Sequence, residues 1–588
     1  MRDEALLLSS GLSLKNGNVA KVLHFFGVPW HAATVTDFLG CSRRNHENSS
    51  KSPVLCSSDT FFELIQQLEE NSEAIQPWRE RVHSVFVHAG DVPAVLQKLM
   101  QRLTGFEAVV INQMNRFGGD FVVTDELDDF CGVMAGVRVS ASKANVDASL
   151  VLNTARGNAI NIISLGHGAI FLKVEYKGVP VFLSTSREII DIDAELASQN
   201  FDVCEHFLSA VPLVLYIKWA FAETCWSAPE TNACLVIDDP LLKPTHGFVD
   251  FQELLSLMKR HKFSTNIAFI PWNWRRSAPK VVRLFKENPE NYSVSVHGCD
   301  HTRAEFGSSN QQRLYWKSRQ ALDRMNRHQS ITGIRYDSVM VFPQGIFSEA
   351  AMSAIKRTDL IAAVNNDVIS AGPHQRAVMI SELWDIAVMG YSNFPIFTRR
   401  YPWEGIENFA FDALLGKPAI AVIHHDYCSD HCVRLVDFID RLNALQCAPT
   451  WRSLGEVVRR SCRQREVSPG EMEVEMYGTE LRIENRSDQP KHFIIRKREC
   501  EPSAIQRICT GSQMIAWKPV DGHVDFEIEL NPGENQVIKI RFHELAEKAC
   551  NGDNLPYRLK AMLRRYLCEV RDNYVTPIRF RFAGLVSR

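Results

Sequence analysis

Cys234-Leu235-Val236-Ile237-Asp238-Asp239-Pro240 places two adjacent carboxylates directly after an apolar run. Such a run is typical of a buried strand, and Pro240 keeps Asp239 from continuing into a helix. Neighbouring strand side chains point to opposite faces, so the chain must turn here if both carboxylates face one site. Two acids this close also repel each other unless a cation or a shared proton relieves them. Taken alone, the pair is equally compatible with a solvated turn.

The region that follows repeats this pattern of short apolar runs separated by helical patterns. The runs lie at 267–270, 294–296, 339–342, 361–364 and 420–423, with helical patterns at 251–261, 280–287, 311–328, 349–357 and 433–445. Strands that alternate with helices predict βα units and a parallel sheet or barrel. In such barrels the chemistry lies at the carboxyl ends of the strands. We therefore predict an α/β fold, a distorted (β/α) barrel, over residues 230–465.

A second strand end, Val294-Ser295-Val296, leads into His297 and His301. Histidines four residues apart bring both imidazoles to one point if the chain enters a helical turn. Two imidazoles and one carboxylate are donors that suit zinc. Either histidine alone is more often a surface or core residue, so the pair carries the prediction.

Two further strand ends complete the set. The third is followed by Pro343 and Gly345, which alone would be an ordinary βα turn. The fourth, Ala419 to Ile423, ends on His424 and His425. If this strand is buried, the two imidazoles leave it on opposite sides, and only one of them faces a site.

In chain order, these four strand ends resemble the polysaccharide deacetylases (NodB-like, carbohydrate esterase family four). The resemblance covers residues 230–465, about two fifths of the chain, and implies a barrel of that family's type. It implies that Asp238 is the general base and that His424 is the general acid, with His425 as the alternative. It also implies a divalent metal, with zinc as the expected ion, held by Asp239, His297 and His301. The implied activity is metal-dependent removal of acetyl groups, as amides or esters, from a carbohydrate substrate.

The sequence departs from the family pattern in its third motif. Val341 stands where the family has the arginine that orients the base, so Arg335, Arg275 or Arg276 would have to replace it. The family's motif of an acid and a tryptophan is matched only around Asn366-Asp367 or Trp384-Asp385. This departure favours the alternative of a non-catalytic glycan-binding or scaffold protein. The retained base, ligands and acid favour an enzyme.

Substrate contacts and a rival metal site are less sharply defined. Pro343 and Gly345 are predicted to bind substrate, as are Trp272 and Trp274, which follow a strand and could equally be barrel packing. Cys428 and Cys432, close to the late histidines, form a weaker candidate for structural zinc. Four ligands crowded into nine residues are hard to close into a tetrahedron.

The flanking segments predict two further domains. Residues 1–225 mix helical and β-rich patterns without a motif that indicates chemistry, which predicts an N-terminal α/β domain of unknown role. Residues 466–588 alternate apolar and polar side chains, which predicts a β-sandwich-like domain with a closing helix. That helix gathers apolar residues on one face and basic ones around the rest. It could lie on a membrane, but we favour an apolar face packed on its own protein and a solvated basic face.

Composition restricts the partners and the location. The formal net charge of -3 gives no global field toward nucleic acid or an anionic membrane. The apolar stretch 210–222 is too short to span a bilayer. Fifteen cysteines without paired spacing, and no export signal, predict reduced thiols and a cytoplasmic protein. A cytoplasmic location makes a small non-peptide amide an alternative substrate, and no cofactor besides the metal is predicted.

Overall fold

Three sheet systems follow one another along the chain. The computed structural model describes residues 4–9, 17–40, 51–90, 93–104, 109–112, 119–143, 148–151, 159–196, 200–372, 375–546 and 554–578. The sheet changes between Phe221 and Asn232, and again at Cys462. These changes lie close to the predicted domain boundaries.

The N-terminal segment forms an eleven-stranded mixed sheet in which β2-β1-β3-β4-β11 are parallel neighbours and β10 and β9 continue antiparallel. The elements are β1 (Ala5–Ser9), α1 (Asn18–Phe25), β2 (Trp30–Thr34), α2 (Val35–Gly40), β3 (Ser52–Ser57), α3 (Ser58–Glu70), α4 (Ile75–Arg81), β4 (Val82–His88), α5 (Pro93–Thr104), β5 (Val109–Asn112), β6 (Asp120–Val123), α6 (Asp128–Cys131), β7 (Arg138–Ser140), β8 (Ala148–Val151), β9 (Ile160–Leu165), β10 (Gly168–Tyr176), β11 (Val179–Ser184) and α7 (Val203–Phe221). Helix α7 is long and apolar enough to cross a membrane, but it is mostly buried in a core that it shares with the barrel.

The central segment forms an eight-stranded parallel sheet with the order β19-β18-β17-β16-β15-β12-β20, and β21 also pairs with β12. The elements are β12 (Asn232–Asp238), β13 (Thr245–His246), β14 (Val249–Asp250), α8 (Phe251–His261), β15 (Thr265–Phe269), α9 (Pro279–Glu287), β16 (Tyr292–His297), α10 (Gln311–Thr332), β17 (Asp337–Val341), α11 (Glu349–Lys356), β18 (Ala362–Asn365), α12 (Ile380–Trp384), β19 (Ile396–Thr398), α13 (Ile406–Leu415), β20 (Ala419–Ile423), α14 (Val433–Asn443), β21 (Thr450–Trp451) and α15 (Leu454–Arg460).

A single bridge curls this sheet toward a barrel. Directly after β19, Arg400 pairs with Ala421 of β20, and the two backbones exchange hydrogen bonds around that bridge. The outermost strands in the sheet order therefore meet each other. The strands are apolar on both faces because they are covered by helices outside and by a packed interior within. The predicted distorted (β/α) barrel is confirmed.

The C-terminal segment forms a sandwich. A five-stranded sheet with the order β22-β23-β25-β29-β28 packs against a four-stranded sheet with the order β24-β30-β26-β27, and one apolar cluster contains residues of both. The strands are β22 (Cys462–Ser468), β23 (Glu471–Met476), β24 (Glu480–Glu484), β25 (Lys491–Arg498), β26 (Ile505–Thr510), β27 (Gln513–Met514), β28 (Trp517–Val520), β29 (His523–Leu530) and β30 (Asn535–Phe542). The alternation of apolar and polar residues in the sequence predicts this sandwich.

The last helix, α16 (Leu555–Val570), and the π-helical turn Arg571–Val575 lie on the barrel. Of the residues of α16, Ala561 and Arg565 are buried. The prediction for this helix is wrong in its orientation, because its apolar side chains face solvent and polar ones contact the barrel. The physical reason is that the barrel surface below it is itself polar and charged.

Candidate metal centre and active site

The two carboxylates after β12 are brought to one site by a turn at Asp239. Asp239 has φ 79°, a left-handed conformation that is unfavourable for a residue with a side chain. Asp238 is the last residue of β12, so the turn falls between the two acids. The turn demanded by the sequence is therefore present, and both acids face the carboxyl end of the barrel.

The loop after β16 is shaped by a glutamate that the sequence does not single out. Both carboxylate oxygens of Glu305 accept backbone N–H groups, from Cys299, Asp300 and His301 at 2.9–3.0 Å. His301 has φ 55° and Gly298 has φ 60°, so the expected helical turn is absent. A bent loop held by Glu305 brings the His297 and His301 rings to 4.7 Å between their centroids instead.

Asp239, His297 and His301 meet in a group that could hold a metal ion. Oδ1 of Asp239 lies 3.0 Å from Nε2 of His301 and 3.4 Å from Nε2 of His297. Burial alone would raise the pKa of Asp239, but the two imidazoles hold that pKa well below its ordinary value. The acid is thus present as a carboxylate, the form that binds a cation.

The donors fit a divalent cation. Nδ1 of His297 lies 3.0 Å from the carbonyl oxygen of Val341. A carbonyl only accepts, so the proton is on Nδ1 and Nε2 offers its lone pair to the site. Oδ1 of Asp239 is buried without a hydrogen-bond donor of normal geometry. Two imidazole nitrogens and one carboxylate oxygen are a three-ligand set of the kind found in catalytic zinc sites.

Asp238 is held by Arg399, which forms two parallel hydrogen bonds to its carboxylate at 2.7 and 2.8 Å. Burial would raise the pKa of Asp238, but Arg399 and the neighbouring His297 hold that pKa below its ordinary value. Arg399 is itself oriented by Asn366, whose side-chain oxygen accepts from its Nε at 2.8 Å. The base candidate is therefore ionised and fixed in position.

The expected substitutes for the missing arginine are wrong. Arg275 packs over the ring of Trp274, Arg276 pairs with Glu569, and Arg335 has no contact with Asp238. Arg399 takes the position because it follows β19, where the chain crosses to β20, the neighbour of β12. Strand β19 has three residues, too few for a reliable pattern in the sequence.

The two late histidines lie on opposite sides, as the strand geometry predicts. His424 is partly exposed, its charge acts on Asp238, and its ring lies 6.5 Å from that of Tyr401. His425 is buried against Gly247 and the ring of Phe248, with its Nε2 3.5 Å from Asp572. Of the two, His424 is the one beside the base. Its role as general acid stays a prediction.

The predicted substrate residues are distributed unevenly. Pro343 covers Gly298 in the metal loop, where a side chain would strike the proline ring, and Gly345 accepts a hydrogen bond from Asn365. Between them, Gln344 lines the cleft beside Asp239 and His301.

Neither tryptophan lines that cleft. The ring of Trp272 meets Tyr566 of α16 edge to face, and Trp274 lies between Arg275 and Arg327. Trp384 lies in the core, and Asp385 accepts a hydrogen bond from Tyr477, so the Trp384-Asp385 match is not at the site. The Asn366 match is at the site, through Arg399.

The rival zinc site at Cys428 and Cys432 does not assemble a ligand set. The two thiols are hydrogen-bonded to each other and both are buried. Among the described residues, the groups that could hold a metal are the site above and Cys299, Asp300 and Glu305. Asp300 in the second group already pairs with Lys317 and Arg324.

An aromatic platform beside His424 is absent from the sequence predictions. Trp403 stacks on Tyr401 with ring centroids 4.2 Å apart and planes 11° from parallel. Trp403 is 63% exposed, which is high for a tryptophan and marks a contact surface. The signal in the sequence is Tyr401-Pro402-Trp403, directly after a short strand.

Solved structures similar to this chain are deacetylases. The carbohydrate deacetylase Agd3 is 9% identical, covers 92% of this chain and 98% of its own, and has a TM-score of 0.47. A family 4 carbohydrate esterase from Streptomyces lividans in complex with acetate is 13% identical, with coverages of 39% and 93% and a TM-score of 0.24. A peptidoglycan deacetylase from Bacillus subtilis is 13% identical, with coverages of 40% and 92% and a TM-score of 0.23.

No protein-family model and no curated protein matches the sequence. Every TM-score quoted is below 0.5, so the roles of this chain's residues rest on its own geometry. The strand-end motifs and the solved structures agree on carbohydrate deacetylases as the proteins that this chain resembles.

Proposed function

We propose that this chain is a metal-dependent hydrolase that removes acetyl groups from a carbohydrate. The observation that carries the proposal is the joint placement of three metal donors, a carboxylate clamped by Arg399, and a partly exposed His424 near that carboxylate. A purely structural metal site would leave an ionised, buried Asp238 without a purpose. Hydrolysis of an acyl bond uses all of these groups.

The residues divide the work of the reaction. A divalent ion held by Asp239, His297 and His301 would supply Lewis-acid chemistry, which stabilises negative charge on the acyl oxygen and makes water more acidic. Asp238 accepts the proton of the attacking water, and Arg399 keeps its carboxylate aimed at that water. His424 donates a proton to the departing nitrogen or oxygen as the acyl bond breaks. The products are acetate and a free amine or hydroxyl group.

The platform of Trp403 and Tyr401 supports a carbohydrate over a small amide. An exposed indole offers a flat apolar face on which the C–H face of a sugar ring can stack. The platform stands beside His424, where the leaving part of the substrate would lie. A small amide would leave this surface unused.

The non-catalytic alternative accounts less well for Arg399. A scaffold that keeps the barrel needs no clamp on Asp238, yet here two parallel hydrogen bonds hold that buried carboxylate. The loss of arginine at position 341 therefore does not by itself indicate a lost activity, because Arg399 reaches the same kind of partner from another strand.

The test combines metal analysis with acetate release. Purified protein is expected to bind one divalent ion per chain and to release acetate from N-acetylglucosamine oligomers or acetylated xylan faster than from acetanilide. The variant His297→Ala/His301→Ala is expected to lose both the ion and the activity, because one carboxylate is a poor site. His328→Ala is the matched control, since His328 is buried and bonded to Ser277 on another part of the barrel.

Equal metal in the double variant and the parent would show that the ion, if present, binds elsewhere. Full metal loading with no acetate release from any of these substrates would favour the non-catalytic alternative. Faster turnover of acetanilide than of the sugars would favour the small-amide alternative.

A further inference from the structure

The C-terminal segment, residues 554–578, packs on the barrel through its polar side chains. Arg565 is 6% exposed, and its guanidinium lies 3.3 Å from both Nδ1 and the carbonyl oxygen of His301. Glu569 pairs with Arg276 and Lys243, and Asp572 lies between His246 and His425. These contacts hold the segment over the cleft that contains Asp239.

The opposite face of the segment is apolar and exposed. A helix that only covers its own domain buries its apolar stripe, and this helix does the reverse. The exposed apolar residues recur at helical spacing and continue past the end of α16: Leu555, Leu559, Met562, Leu563, Tyr566, Leu567, Val570, Tyr574, Val575 and Ile578. A continuous apolar face of this length needs a covering surface.

Positive charge flanks this face. From residue 554 to the end, the sequence holds eight Lys and Arg residues and two acidic ones. Arg558, Lys560 and Arg571 are exposed, whereas the acidic Glu569 and Asp572 point inward to the barrel. The outward surface therefore combines an apolar stripe with uncompensated basic side chains.

We propose that the outward face of residues 554–578 docks on an anionic lipid bilayer. Apolar side chains enter the boundary between headgroups and acyl chains, while basic side chains contact lipid phosphates, and the two contributions together give stable binding. A second copy of this face is the poorer occupant, because it would oppose positive charge with positive charge. Docking in this way places the cleft of the candidate metal centre next to the bilayer.

The experiment measures sedimentation of the full chain with vesicles of phosphatidylcholine alone or of phosphatidylcholine mixed with phosphatidylglycerol. We expect binding to the mixed vesicles that weakens as salt is raised, because screening removes the electrostatic part. Leu567→Glu is expected to reduce the partition coefficient by about tenfold or more, as removal of one inserted leucine predicts. Ile331→Glu is the matched control, since Ile331 is 65% exposed on α10 and Leu567 is 67% exposed.

Vesicle binding needs no catalysis, so the His297→Ala/His301→Ala variant should bind as the parent does. The proposal therefore stands or fails separately from the proposed activity. Binding that is absent, or equal with and without phosphatidylglycerol, would overturn it. So would an equal loss in the Ile331 variant, or a dimer in light scattering that Leu567→Glu converts to monomer, which would assign the face to a second copy.

Discussion

Replacing Arg399 with glutamine is expected to abolish most turnover while leaving the metal in place. Arg399 forms hydrogen bonds of 2.7 and 2.8 Å to Asp238, and the two side chains are 3% and 4% exposed. Breaking a buried ion pair from one side costs about 3–5 kcal/mol. The isolated carboxylate lowers this cost by taking up a proton, which ends its use as a base. Loss of a general base lowers the rate by about 10²–10⁴-fold.

The assay is acetate release at saturating zinc, with metal content and the free energy of unfolding measured on the same preparations. Arg400→Gln is the control, because the neighbouring Arg400 also forms a buried ion pair, with Asp412, at 2.7 Å. Both variants should lose stability, and only Arg399→Gln should lose the chemical step. If turnover falls equally in the two variants after correction for the folded fraction, Arg399 is only structural and the reasoning is refuted.

Three further outcomes are expected. Asp238→Asn should keep the ion and lose turnover, whereas Asp239→Asn should weaken metal binding and respond to added metal; identical behaviour would show that the two roles are not separate. His424→Ala should lower turnover by about a hundredfold, with a smaller loss for an aryl acetate that needs little protonation; a larger leaving-group-dependent loss in His425→Ala would exchange the roles. Burial lowers the pKa of Lys497 from 10.5 to about 7, so between these values the unfolded chain binds a proton that the folded chain does not. The free energy of unfolding should therefore rise by about 2–3 kcal/mol more between pH 7 and 9 in the parent than in Lys497→Met, and parallel pH profiles in denaturant unfolding would contradict this.

Local pattern predicted most of the barrel. The helix predicted at 251–261 begins and ends as the structure has it, and the strand at 420–423 differs by one residue. Both were predictable because each element buries a complete face, which fixes the spacing of its apolar side chains. The same logic placed the polar residues at the strand ends, and Asp239, His297 and His301 do converge.

Contacts between segments distant in sequence decided the rest. Arg399 reaches Asp238 across 161 positions, through a strand too short to show a period and a bridge that closes the sheet. The loop of His301 bends as it does because Glu305 collects its N–H groups, which no helical spacing indicates.

The C-terminal helix shows the same division most clearly. Its sequence determined that it is amphipathic and basic, and this follows from composition and period alone. Which face turns inward depends on the barrel surface that receives it. There, His301, Arg276 and Lys243 offer partners to Arg565 and Glu569, so the polar face is bound and the apolar face is left outside. Periodicity describes the two faces of a helix, and only the tertiary structure supplies the surface that chooses between them.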